Sequence, residues 1–155
     1  MRVICLPSKH RSAPAQVLKR MTTYLKHDPI KPSDECWLVV DKDKSTDDQL
    51  EKLHQWACKT SNHFLALSYP NFEYWLLLHF EDGKTVNTGR ACIERLRRYL
   101  PNYEKAIARR DIKKSQIDEA VCRAKARDNP PCVDWPRSVG QTTVYRLVEN
   151  ILKSV

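Results

Sequence analysis

A chain of 155 residues is most simply one domain, long enough to bury about two thirds of the surface its unfolded form exposes. With 3 Gly, 9 Pro and 41% apolar residues, it reads as an ordered, helix-rich globular protein, not as a linker or disordered tail. No run approaches the ~20 apolar residues of a membrane span and the first apolar run is too short for a secretion signal, so a soluble, cytoplasmic protein without membrane contact is expected.

In chain order, residues 2–6 (RVICL) read as a short buried strand and residues 7–11 as the loop leaving it. Pro14 fits a first helical turn, and Val17, Leu18, Met21 and Leu25 recur at helical spacing until Asp28-Pro29 stops the run. Residues 36–40 (CWLVV) form the continuous apolar run of a central parallel strand covered on both faces, and Asp41 and Asp43 lie where it ends. Ser45 or Thr46 caps a helix with acids in its opening turns and Leu50, Leu53, His54 and Ala57 along one side. Residues 63–67 make a further strand, so strand, helix, strand, helix, strand predicts a small parallel α/β sheet flanked by helices over residues 1–83.

A polar turn with Ser68 and Pro70 follows, then one acid, Glu73, and an apolar helix. Trp75 to Leu78 and Phe80 are assigned to the core, His79 to a buried, hydrogen-bonded imidazole, and Ser68 to the amides that open the helix. Residues 84–155 read as a basic helical half of the same domain, with helices at 88–100, 102–110, 115–127 and 142–152, the third opened by Ser115-x-x-Asp118.

Six cysteines show no Cys-x-x-Cys pair and no histidine at finger spacing, so a structural zinc site is unsupported; Cys5, Cys36 and Cys92 fall in apolar runs and are assigned to the core. The net charge of +8 is localised, because residues 84–127 carry 13 Lys and Arg against 5 Asp and Glu while everything else balances. Such a field attracts polyanions and points to nucleic acid, with Arg90, Arg97, Arg98, Arg109, Arg110, Lys113 and Lys114 as the candidate phosphate contacts. The alternative is a set of solvated helix faces.

Asp41 and Asp43 stand at i and i+2 on a strand, about 6.5 Å apart on one face, where both can share a divalent cation. Glu73 leaves the next strand after a short turn and so emerges on the same edge, the carboxyl edge at which ligands of open parallel sheets gather. Three carboxylates holding Mg²⁺ or Mn²⁺ suit phosphodiester chemistry. Ser68, His79 and Lys42 are candidate supporting residues, and Lys42 and Lys44 flank the aspartates. Taken singly, the acids also fit a strand exit and a first-turn complement to a helix dipole.

The strand ending Asp41-x-Asp43, followed by Ser68, Pro70, Phe72, Glu73, Trp75, Leu76, Leu77, Leu78, His79 and Phe80, resembles the RloB family of restriction and phage-defence loci. Residues 100–105 (LPNYEK) and 143–148 (TVYRLV) resemble that family's later landmarks, so the similarity covers nearly the whole chain. The resemblance implies a Toprim-like fold and a metal-dependent nuclease with catalytic and metal-binding Asp41, Asp43 and Glu73, acting on DNA or RNA, beside an ATPase encoded with it. Family members normally begin with a strand ending in a catalytic glutamate, whereas residues 2–6 correspond better to their second strand. The expectation is a fragment, a shortened homologue in which Glu73 or His10 replaces that acid, or a non-catalytic nucleic-acid-binding or adaptor protein.

Overall fold

The computed structural model describes residues 1–155. Six helices surround a three-stranded mixed sheet: α1 Pro14–His27, β1 Cys36–Asp41, α2 Asp47–Ala57, β2 His63–Tyr69, α3 Phe72–Leu77, α4 Gly89–Leu96, α5 Lys114–Arg127, β3 Gln141–Thr142 and α6 Val144–Lys153. β1 and β2 are parallel, in the register Cys36↔His63 to Asp41↔Ser68, and β3 is antiparallel to β2. The sheet order β1-β2-β3 puts β2 in the centre. No helix is long and apolar enough to cross a membrane.

Period-two alternation sorts the sheet's two faces. Cys36, Leu38 and Val40 of β1, with Leu65 and Leu67 of β2, pack against Leu50, Leu53 and Trp56 of α2, Trp135 and the apolar stripe of α1. Ala66 faces the other way, into a larger core built by Tyr74 to Leu78, Cys92, Leu96, Ala120, Ala124 and Tyr145. Asp41 shares that second face, because it is level with Ser68 in the ladder.

Local chemistry explains several boundaries. Pro14 at the first turn and the Asp28-Pro29 stop delimit α1. Thr46 caps α2, its hydroxyl accepting from Gln49 N at 3.3 Å while the Gln49 side chain accepts from Thr46 N at 3.0 Å. Behind the second core, buried Asp128 accepts from Tyr145 Oη and Arg146, both at 2.8 Å, and from Cys132 N at 2.9 Å. These bonds tie the loop after α5 to α6.

Five expectations are corrected. Residues 2–6 belong to no strand and are largely exposed, Cys5 included, because no neighbouring strand pairs with them. β1 is an edge strand buried mainly on one face, and Val39 on its other face is 37% exposed. The sheet is mixed, since a chain too short to show periodicity, Gln141–Thr142, adds antiparallel to β2. Residues 102–110 form no α-helix: Tyr103 turns inward, Lys105 takes a left-handed φ of 68°, and only a 3₁₀ turn at Arg109–Asp111 follows. The helix after Pro70 spans only Phe72–Leu77 before the chain turns.

Candidate active site

The carboxyl end of β1 is held against the turn that follows β2. Lys42 N donates to Ser68 O at 2.9 Å and Asp43 N to Pro70 O at 2.8 Å, so the parallel pairing runs on past the sheet. Lys44 then adopts a left-handed φ of 63°, and Ser45 closes the turn by donating through its hydroxyl to Asp41 O at 2.9 Å. This geometry leaves Asp41 and Asp43 on one side, where both line a cleft of about 810 Å³ between the sheet edge and α4.

Asp41 is a strongly perturbed acid. Burial, and then the neighbouring Glu73 carboxylate, push its pKa up to about 6; the Phe72 N–H and the Lys105 ammonium pull it back, and Asp43 adds a small push upward. Glu73, at the first turn of α3, is only 3% exposed and lies behind the cleft wall. Its Oε1 accepts from Tyr103 Oη at 3.1 Å and from Lys105 Nζ in a short ion pair. Burial and then Glu73 raise the Tyr103 pKa, so the phenol stays a donor, and the same causes push the Cys92 thiol up to about 12.

Lys44, Arg90, Arg97 and Lys105 place four cations on the cleft lining above the acids. Arg90 is paired with Glu94 at 2.9 Å, and Arg97 donates to Tyr103 O at 3.2 Å, which fixes the loop that carries Tyr103 and Lys105. No group of three or more His, Cys, Asp and Glu side chains is arranged to hold a metal ion. Asp41 and Asp43 nevertheless suit a hard cation, being all-oxygen donors whose mutual repulsion, with Glu73, a bound cation would relieve. Glu73 does not suit that role while the Lys105 ammonium occupies it.

Of the candidate supporting residues, none lines the cleft. Ser68 does not cap the following helix; it is fully buried and its hydroxyl pairs with Thr142 Oγ1 at 2.8 Å, clasping β3 to β2. His79 is buried, its Nδ1–H shared between Trp75 O at 3.0 Å and Leu76 O at 3.1 Å, and burial lowers its pKa. Lys42 turns towards α2, donating to Ser45 O at 2.9 Å and facing Asp47 at 3.5 Å. Among the candidate phosphate contacts only Arg90 and Arg97 reach the cleft; Arg98, Arg109, Arg110, Lys113 and Lys114 are exposed elsewhere and make no ion pair.

Tyr103, Lys105 and Asn71, the last also on the cleft lining, are not assigned to the site from the sequence. A helical reading of residues 102–110 hides the first two; the available signal is that both fall in the LPNYEK segment, residues 100–105, which resembles a landmark of the family. No curated protein and no solved structure matches this chain. A family model described as RloB-like protein matches residues 2–151, nearly the whole length, and the chain belongs to that family.

Proposed function

We propose that this chain is a metal-dependent nuclease with a Toprim-like arrangement of acids, hydrolysing phosphodiester bonds of DNA or RNA in the phage-defence setting of its family. The observation that carries the reading is the raised pKa of Asp41, at the carboxyl end of β1, beside the buried Glu73 in the first turn of the helix that follows the parallel β2, and a cleft lined by four cations. An acid strongly perturbed by burial and by a neighbouring carboxylate, set in a cleft, is a mark of sites that do chemistry.

Asp41 and Asp43 would hold Mg²⁺ or Mn²⁺, which polarises a phosphate and makes a bound water more acidic. The remaining work falls to the chain's own groups. Lys44, Arg90 and Arg97 draw a phosphate backbone into the cleft and neutralise it. An entering phosphate competes with Glu73 for the Lys105 ammonium at the cleft lining, while the Glu73 carboxylate behind the wall stays held by the Tyr103 hydroxyl.

The test is cleavage of plasmid, single-stranded DNA and tRNA with Mg²⁺, Mn²⁺ or EDTA, comparing the chain with Asp41→Ala. Metal-dependent cleavage lost in the variant is expected. Binding of these nucleic acids without cleavage under any condition would favour the adaptor reading, which the Lys105 to Glu73 ion pair supports by keeping one acid engaged.

A further inference from the structure

β1 is the outer strand of the sheet, and only one of its two edges is paired. Cys36 N donates to Asn62 O and Lys42 N to Ser68 O, both at 2.9 Å, so the even-numbered residues of β1 turn their backbone groups to β2. Trp37, Val39 and Asp41 turn theirs outward. The N–H and C=O of Trp37 and Val39 and the N–H of Asp41 meet no partner there; Asp41 O accepts the Ser45 hydroxyl. An unpaired edge is a template for a further strand, and the usual protections, a proline, a lysine or a bulge, are missing between Trp37 and Asp41. Val39, in the middle of this stretch, is 37% exposed.

The same chain carries an unused strand. Residues 2–6 (RVICL) match the stretch from Trp37 to Asp41 in length, with β-branched Val3 and Ile4 at their centre. No residue before Ser8 makes a hydrogen bond, and Met1, Val3 and Ile4 are each more than half exposed. The root of this arm is fixed beside the open edge, because Arg20 donates to Ser8 O at 3.0 Å and to Arg11 O, and Ser12 to Pro14 line one cleft with Val39 and Asp41. Between root and arm, Lys9 and His10 take successive left-handed φ values of 47° and 62°, a costly turn for residues with a Cβ. Within one chain, arm and edge therefore stay apart although only α1 separates them in sequence. Complementary elements that a tight turn keeps apart in one copy can meet between two.

We propose that the free edge of β1 is a self-association surface, on which residues 2–6 of a second copy add as a strand, and that the exchange is reciprocal. Each copy offers one arm and one edge, so a two-fold arrangement closes at the dimer and leaves neither unpaired. Main-chain bonds supply the ladder, as in other cases of strand addition, and burial of Val3, Ile4 and Val39 adds to it. β1 becomes an inner strand of a four-stranded sheet. Because Val39 and Asp41 line the cleft, the added strand forms part of its wall, which ties the shape of the site to dimerisation. None of this rests on the nuclease reading.

The experiment is sedimentation velocity of the full chain from about 1 to 100 µM, the range in which a micromolar association is resolved, with NMR amide exchange at both ends of it. A dimer is expected, with the Val39 amide protected at high concentration and exchanging freely on dilution. Successive N–H groups of a strand point to opposite edges, so one of Val3 and Ile4 must donate to β1. The double variant Val3→Pro/Ile4→Pro removes that donor in either register and should weaken the dimer about tenfold or more. Its circular dichroism should match the parent's, since the arm makes no hydrogen bond and belongs to neither core. A parent that stays monomeric throughout overturns the proposal. So does Val39 protection independent of concentration, which would place the arm on its own β1. A dimer that persists in the proline variant belongs to another surface, and open-ended assemblies would rule out reciprocal exchange.

Discussion

Asp41 keeps its proton to about pH 6 in the folded chain, where an unfolded aspartate loses it near 3.8. Between those values the native state binds more protons than the unfolded one, so stability falls as pH rises and levels off above about 6. The gap corresponds to up to about 3 kcal/mol at neutral pH. Removing the charge should recover it: Asp41→Asn is expected to match the parent near pH 4 and to melt several degrees higher at pH 7.5, at about 2–4 °C per kcal/mol for a chain of this size. His79 acts in the opposite direction, because burial lowers its pKa and the unfolded imidazole takes up a proton below about 6.5 that the folded one refuses. Its contribution is present above that pH and is lost as pH falls. Thermal scans of both proteins in EDTA from pH 4 to 8 separate the two effects, since only the Asp41 part vanishes in the variant; equal melting at pH 7.5 would contradict the burial of that charge.

The element that organises the chain is the short helix α3 with the turn before it. All of Glu73 to Leu77 is buried, which is the pattern of a helix enclosed on every side, and Trp75 stands edge-on to His79 at 4.9 Å between ring centroids. Trp75→Ala should cost about 3–5 kcal/mol by leaving a cavity, measured as a lower urea midpoint with unchanged slope. The residue that joins β3 to α6 contributes differently. Thr143 N donates to Leu67 O at 2.9 Å and Leu67 N donates to Thr143 Oγ1 at 3.0 Å, so Thr143→Val leaves a buried N–H without an acceptor, at about 1–3 kcal/mol. Elements whose period and stop signals lie within one segment were legible in the sequence, as α1 between Pro14 and Asp28 demonstrates. Those decided by distant partners were not. Residues 2–6 are as apolar as a strand and find no ladder, and residues 102–110 lose their helix to Tyr103 and Lys105 reaching Glu73 thirty and thirty-two positions earlier. In the site, the strand-end placement of Asp41 and Asp43 followed from period two, whereas the place of Asn71 on the cleft lining and the ammonium on Glu73 depend on where α4 and the loop after it come to rest.

At the scale of the whole molecule, the surplus of positive charge divides into two populations. Arg95, Arg123 and Lys125 are spent on Glu81, Glu119 and Glu149, each within 2.9 Å, and Lys105 is spent on Glu73. Arg109, Arg110, Lys113 and Lys114 are exposed and carry no acidic partner, and they lie four to nine positions after Lys105, so the segment from Lys105 through the 3₁₀ turn to the start of α5 is a basic ribbon. Exposed, unpaired cations are suited to hold a phosphate backbone, with little preference for sequence. Replacing these four residues with Gln should weaken binding of single-stranded DNA or RNA and flatten the plot of log affinity against log salt by up to about three to four units, at ~0.7–0.9 for each phosphate no longer neutralised. Fluorescence anisotropy between about 50 and 200 mM salt reads both quantities, a range over which such charge pairs change affinity by orders of magnitude. Because the four side chains take no part in either core, the variant should melt with the parent, and any loss of binding then belongs to charge and not to folding. An unchanged affinity and slope would make the ribbon a solvated surface and leave Lys44, Arg90 and Arg97 at the cleft as the whole electrostatic footprint, a size that fits a small phosphorylated ligand better than a polymer.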